Sequence, residues 1–170
     1  MNSLFPLILC LLLLSPIHAL AQCGTESAFS PHGGSLALVL KSVQNAKQTI
    51  RIAAYSFTSK PISQALIDAH RRGVDVKVIA DAKSNKHYTT FLAHQGIPVR
   101  VNDHYAVMHN TFMVIDGRHV QTGSFSYTGA AADKNAENVL VVKDCPELAS
   151  HYAEEWHRLW EEGEALKKGY

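Results

Sequence analysis

The chain has 170 residues, room for one domain or for one domain behind a leader. Hydrophobic residues make up 46% of it, an ordinary share for a globular protein with a real core. The formal net charge is +1, which excludes an overall field that would draw in nucleic acid, so any such partner must be held by a local patch.

The first element in chain order is a leader. LFPLILCLLLLSPIHALA is a short apolar run ending in Ala19-Leu20-Ala21, the small-x-small pattern of a secretory signal peptide, and it predicts cleavage before Gln22 and export to the periplasm or medium. No Lys or Arg precedes the run, and an uncleaved anchor is the alternative. The run is short for a membrane span and Pro16 interrupts it, which favours cleavage. Lipidation at Cys23 is disfavoured because Gln22 stands where a small residue is wanted. Cleavage removes Cys10 and leaves Cys23 and Cys145. Two cysteines in an exported chain can pair, and a bridge closing so long a loop would stabilise by ~4 kcal/mol. Spacing alone does not show that they meet.

Residues 22–170 read as one α/β domain. Gln22 to Gly34 is polar, broken by Pro31, Gly33 and Gly34, and reads as an irregular lead-in. From Ser35, a possible N-cap, Leu36, Val39, Leu40 and Val43 fall at helical spacing. TIRIAAYSF is a strand. Pro61 then opens a helix, PISQALIDAHRR, which Gly73 closes, and VDVKVIAD is the next strand. This strand–helix–strand unit predicts a parallel pair. A short helix over Tyr88–His94 and a strand IPVRV follow. TFMVIDG and RHVQTGS form a hairpin turning at Asp116-Gly117. ENVLVVKD is a last strand, and a long helix from Pro146 closes the chain, with Tyr152, Trp156, Leu159 and Trp160 as core contacts. The sum is a single domain with a mixed, mostly parallel sheet flanked by helices.

The chemistry concentrates in VMHNTFMVIDGRHVQTGSFSYTG. His109 opens a buried-looking strand, a tight turn follows at Asp116, and hydroxyls gather at Thr111, Thr122, Ser124, Ser126 and Thr128. Glu137 begins the next strand. A histidine partnered by a carboxylate is a common way to build a nucleophile or a general acid/base, because the carboxylate fixes tautomer and orientation. The small residues at Gly123-Ser124 would let backbone N–H groups approach an anion. The alternative is a strand histidine that only bonds backbone.

This segment resembles the signature of the phospholipase D superfamily, His-x-Lys-x4-Asp followed by x6-Gly-Ser-x-Asn. His109, Asp116, Gly123 and Ser124 stand at matching positions. IRIAAYSFTSKPISQALIDAHRRGVDVKVIAD, QGIPVR, TGSFSYTGAAADKNAENVLVV and the Trp-containing C-terminal helix resemble the small single-motif bacterial nucleases of that superfamily, over nearly the whole chain after the leader. The resemblance implies a phospholipase D-like fold and a phosphodiesterase without metal or cofactor. His109 would attack phosphorus and form a phosphohistidine. A second histidine would protonate the leaving oxygen and then assist water. One signature per chain implies a homodimer with a shared site. Glu137 matches the acidic residue that hydrogen-bonds the catalytic histidine, so the implied catalytic set is His109, Asp116 and Glu137. The substrate would be DNA or RNA, or a phospholipid.

Two positions depart from the family. Thr111 replaces the lysine and Ser126 the asparagine, and with Ser124 these are the substrate-binding candidates. Both family residues bind phosphoryl oxygens. Thr and Ser donate one hydrogen bond each and carry no charge. Loss of one preorganised donor costs ~3 kcal/mol of transition-state stabilisation, and a shared dimeric site suffers each loss twice. Lys134 is a candidate replacement charge. The competing reading is a weakened or inactive member that binds nucleic acid or another phosphate ligand. Lys60, Arg71, Arg72, Lys83 and Lys86 are candidates for a nucleic-acid rim or for a plain solvated surface. His104 is a candidate for the rim of the site. The remaining histidines show no metal-ligand spacing.

Overall fold

The computed structural model describes residues 23–84 and 86–166. The expected leader, residues 1–21, and its cleavage point lie outside them. The elements in order are β1 (Gly24–Ser30), α1 (Ser35–Asn45), β2 (Thr49–Ala54), α2 (Lys60–Arg71), β3 (Asp75–Asp81), α3 (Lys86–His94), β4 (Val99–Asn102), β5 (Phe112–Ile115), β6 (His119–Thr122), α4 (Gly129–Asp133), β7 (Glu137–Lys143), α5 (Pro146–Glu162) and β8 (Glu164–Ala165). One eight-stranded sheet runs β1-β7-β6-β5-β2-β3-β4-β8. Parallel pairing is confined to β2–β3 and β3–β4, and every other neighbouring pair is antiparallel. The expected mixed α/β sheet is present. It is more antiparallel than the strand–helix–strand unit suggested, because a hairpin and two edge strands extend it.

Period-2 alternation sorts the side chains between two layers. On β2, Ile50, Ile52 and Ala54 join one core with Leu38 and Val39 of α1, Leu66 of α2 and Leu92 of α3. Ala53 of β2 and Ile79 of β3 point the other way and meet Ala149, Trp156 and Leu159 of α5. Residues Val76, Val78, Ile79 and Ala80 of β3 are all fully buried, since helices cover both faces of the centre. Trp156 donates its indole N–H to the Ile52 carbonyl at 2.8 Å and stacks on Trp160 with ring centroids 4.9 Å apart. Both tryptophans are therefore packing residues, as their spacing indicated.

Three elements were not anticipated. The segment read as an irregular lead-in is β1, paired antiparallel with β7 from Gly24↔Lys143 to Ser30↔Glu137. Only Ala28 and Ser30 of β1 are buried and Phe29 is 60% exposed, so an edge strand of this composition carries little hydrophobic alternation. The others are the one-turn helix α4 and the two-residue β8. The first helix is capped by Gly34, in a left-handed conformation (φ 86), so Ser35 is its first residue rather than its cap. Cys23 and Cys145 form a disulfide, Cα atoms 5.0 Å apart, that ties the start of β1 to the N-cap of α5. Among the described residues, no helix is long and apolar enough to cross a membrane.

Candidate active site

In a sheet with a parallel centre, the crevice beyond the C-terminal strand ends is where a site forms. Here that edge gathers the ends of β2, β3, β4 and β6 with the starts of the antiparallel strands β5 and β7. His109 stands there, at the end of the irregular 103–111 segment between β4 and β5. A pocket of about 510 Å³ opens beside it, with Thr111, Thr122 and Gly123 on the strand side and His151, Tyr152 and Glu155 of α5 opposite. A second hollow of about 320 Å³ on its other side is bounded by Tyr105, Asn110 and Arg158.

Three contacts from different elements hold His109 and its two chain neighbours. Its ring lies against Tyr55, just past β2, with centroids 4.5 Å apart. Ahead of it, the Met108 N–H donates to Asp81 Oδ2 at 3.0 Å. Asp81 is buried at the end of β3, and its Oδ1 accepts from the Lys83 and Ser84 N–H groups and the Ser84 hydroxyl, which satisfy the buried carboxylate. Behind it, Asn110 Nδ2 donates to Glu155 Oε1 at 3.1 Å. Sequence reading missed Tyr55, Asp81, Asn110 and Glu155, because they come from four separate segments and none has a local pattern of its own.

Gly123 and Ser124 follow β6. A Cβ at Gly123 would come within 2.3 Å of the Asn138 carbonyl oxygen, and its φ of 142° favours glycine as well, so no other residue fits. Ser124 Oγ donates to Glu137 Oε2 at 2.6 Å and accepts from the Asn138 N–H at 3.1 Å. The other Glu137 oxygen accepts from Asn135 Nδ2 at 2.9 Å. Within one chain both Glu137 oxygens are thus engaged by Ser124 and Asn135. The His109–Glu137 hydrogen bond implied by resemblance is not formed, and His109 rests against Tyr55 instead.

Asp116 requires a correction. It follows β5, and His109 precedes it, so the extended strand carries the two to opposite edges of the sheet. Asp116 sits in a left-handed turn (φ 53) and accepts the N–H groups of Lys47, Gln48 and Thr49 at 2.9, 2.7 and 3.0 Å. Burial pushes its carboxyl up, but these backbone donors outweigh that and hold it below its ordinary value. Its role is to fasten the β5–β6 turn to the start of β2.

The other candidates divide in the same way. Thr111 lines the pocket with His109. Ser126 is in the turn before α4, where its carbonyl accepts from the Thr128 N–H at 2.6 Å, and it is not part of the pocket wall. Lys134 caps α4, exposed and away from that wall. Lys60 and Lys86 open α2 and α3 and Lys83 follows β3, all at the His109 edge, whereas Arg71 and Arg72 end α2 at the far edge. No Lys or Arg of the described residues lines the larger pocket. His104 donates its backbone N–H to Asn102 Oδ1 at 3.0 Å, at the base of the 103–111 segment. Among the described residues, no group of His, Cys, Asp and Glu is arranged to hold a metal ion.

Comparison with known proteins bears on this arrangement. The family described as "Cardiolipin synthase, PLD-like domain" matches residues 39–160. A phospholipase D of Rickettsia bellii is 34% identical over 143 residues, covering 82% of this chain and 71% of the relative. A mitochondrial cardiolipin hydrolase of Canis lupus familiaris is 34% identical over 136 residues, covering 78% of this chain and 53% of the relative. The crystal structure of Nuc from Salmonella typhimurium, a phospholipase D family member, superposes with a TM-score of 0.84 at 36% identity, over 86% of this chain and 99% of that one. With His109, Gly123 and Ser124 gathered at one sheet edge in the same fold, the chain belongs to the phospholipase D superfamily of phosphodiester hydrolases.

Proposed function

We propose that this protein is an exported phosphodiesterase, acting without a metal ion, that cleaves nucleic acid as a nonspecific endonuclease. The observation that carries the reading is the pocket at His109, walled mainly by polar side chains (Thr111, Thr122, His151, Glu155). His109 attacks phosphorus, the P–O bond to the leaving oxygen breaks, and a phosphohistidine forms. A second histidine gives its proton to that oxygen. Water, deprotonated by the same histidine, then displaces His109 and releases the phosphate monoester. The second histidine is His109 of a partner subunit in a two-fold homodimer. In that assembly Thr111 and Ser124 supply neutral donors to the phosphoryl oxygens, and Glu137 holds Ser124.

Phospholipid is the competing substrate. Several relatives are named as lipid hydrolases, including the rickettsial phospholipase D and the mitochondrial cardiolipin hydrolase. A second reading, a phosphate-binding protein with little turnover, is favoured by one observation: no described Lys or Arg lines the pocket. The deciding experiment incubates the purified mature protein in EDTA with plasmid DNA, RNA and cardiolipin vesicles, beside His109→Ala. Cleavage of DNA or RNA that His109→Ala lacks supports the nuclease. Release of phosphatidate alone moves the assignment to lipid. Binding without cleavage establishes the second reading.

A further inference from the structure

Glu155, Arg158 and Glu162 occupy one stripe of α5, at spacings of three and four residues. This stripe is laced to the segment that carries His109. Arg158 Nε and Nη2 grip Glu155 Oε2 and Oε1 at 2.8 and 2.7 Å, a two-pronged fork. Glu155 Oε1 also accepts from Asn110, the residue after His109. Arg158 Nη1 donates to Glu162 Oε1 at 2.6 Å and to the Tyr105 hydroxyl. Tyr105 donates to Glu162, and Asn102 Nδ2 donates to Glu162 Oε2 at 3.2 Å. The 103–111 segment is therefore tied to α5 through Tyr105 near its start and Asn110 near its end, with Asn102 of β4 anchored just before it.

Charge makes the arrangement unusual. Glu155 lines the pocket that holds His109 and Thr111, and no described Lys or Arg lines that pocket. A bare carboxylate there would repel the phosphodiester. We propose that Arg158 is a positioning residue for this site: through Glu155 and Asn110 it sets the His109 segment, and its fork on Glu155, shared with Glu162, offsets the carboxylate that would otherwise face the substrate. The proposal rests on the phosphodiesterase reading and goes beyond it. The bland alternative is an exposed helix ion pair, worth ~0–1 kcal/mol of stability and without effect on turnover.

Removing each charge singly and then both together separates the two. Arg158→Ala, Glu155→Gln and the double variant are assayed with bis(p-nitrophenyl) phosphate across ionic strength, and backbone hydrogen exchange is followed over residues 103–111. Arg158→Ala is expected to raise KM by about tenfold at low salt, with the increase shrinking at high salt as the freed carboxylate is screened. Adding Glu155→Gln should restore most of the lost kcat/KM, since glutamine still accepts from Asn110 but carries no charge. Exchange over 103–111 should quicken in Arg158→Ala. If Arg158→Ala stays within about twofold of wild type, or the double variant is no better than Arg158→Ala, the charge-cancelling role is overturned. If wild type hydrolyses nothing, the phosphodiesterase reading fails separately. The exchange measurement then decides the positioning role alone, with unchanged exchange in Arg158→Ala refuting it.

Discussion

Strand β5 has two quite different ends. At one, His109 sits in an irregular segment against Tyr55, beside a pocket and facing α5. At the other, Asp116 closes a tight hairpin and is saturated by three backbone amides. The second end is further locked by the disulfide at the start of α5, by the Cys145 N–H donating to the Arg118 carbonyl at 2.8 Å, and by an Arg118–Asp144 ion pair at 2.9 Å. Two residues of one sequence motif thus serve different ends. One end leaves the His109 ring exposed while hydrogen bonds of Met108 and Asn110 hold its backbone, an arrangement that suits chemistry. The other has its polar groups satisfied, which stability needs.

If that division is right, substitutions at the two ends separate activity from stability. The largest effect is expected from His109→Ala, a loss of about 10⁴-fold or more in kcat with the melting temperature nearly unchanged, read by phosphodiester hydrolysis beside calorimetry. A parallel large loss of stability would show that His109 is structural too. Cys145→Ser should lower unfolding free energy by ~4 kcal/mol in denaturant titration, while kcat below the transition changes little. Asp116→Ala comes next, with about 3 kcal/mol lost because three amides lose an ionised acceptor, and with kcat/KM of the folded fraction kept. A collapse of turnover in folded Asp116→Ala would restore a catalytic role to that residue and end the comparison.

Two smaller effects sharpen it. Thr111→Lys restores a charged donor on the pocket wall and should raise hydrolysis of an activated phosphodiester by roughly a hundredfold. Ser126→Asn, from a position off that wall, should add less. A wild-type rate that Thr111→Lys leaves unimproved would mean that the missing charge comes from elsewhere, such as a partner subunit. The pH dependence is the finest test. Asp116 has a folded-state pKa below its ordinary value, so its stabilisation is complete above the unfolded carboxylate value of about 4 and fades as pH falls through the depressed folded value. The stability gap between wild type and Asp116→Asn should be flat above about pH 4 and narrow below it, in urea titrations at successive pH values.

Most of the fold was legible because its central elements bury strong periodic patterns. VDVKVIAD is covered by helices on both faces, and α2 carries a proline at its start, a glycine after its end and an apolar stripe between. What was not legible had weak burial or remote causes. The strand β1 hides in a polar segment because β7 supplies its hydrogen bonds. Nothing in the sequence links Glu155 to the site until the fold brings Asn110 against it from 45 residues away in the chain. Asp116 looked catalytic because a motif is read as a string, and a string does not show that a strand in between separates its ends.

By itself the sequence determined most of the central elements and the family, and it singled out His109 as the candidate nucleophile, since periodicity, turn residues and the spacing of His109, Gly123 and Ser124 are local properties of the chain. Only the tertiary structure decided which polar groups share a site. Antiparallel β5 sends Asp116 away from His109, α5 brings Glu155 and Arg158 to it, and the close approach of β7 to Gly123 engages Glu137 with Ser124. Those outcomes depend on strand direction and packing between distant segments, and on which hydrogen-bond donors a buried carboxylate can reach once the chain is closed.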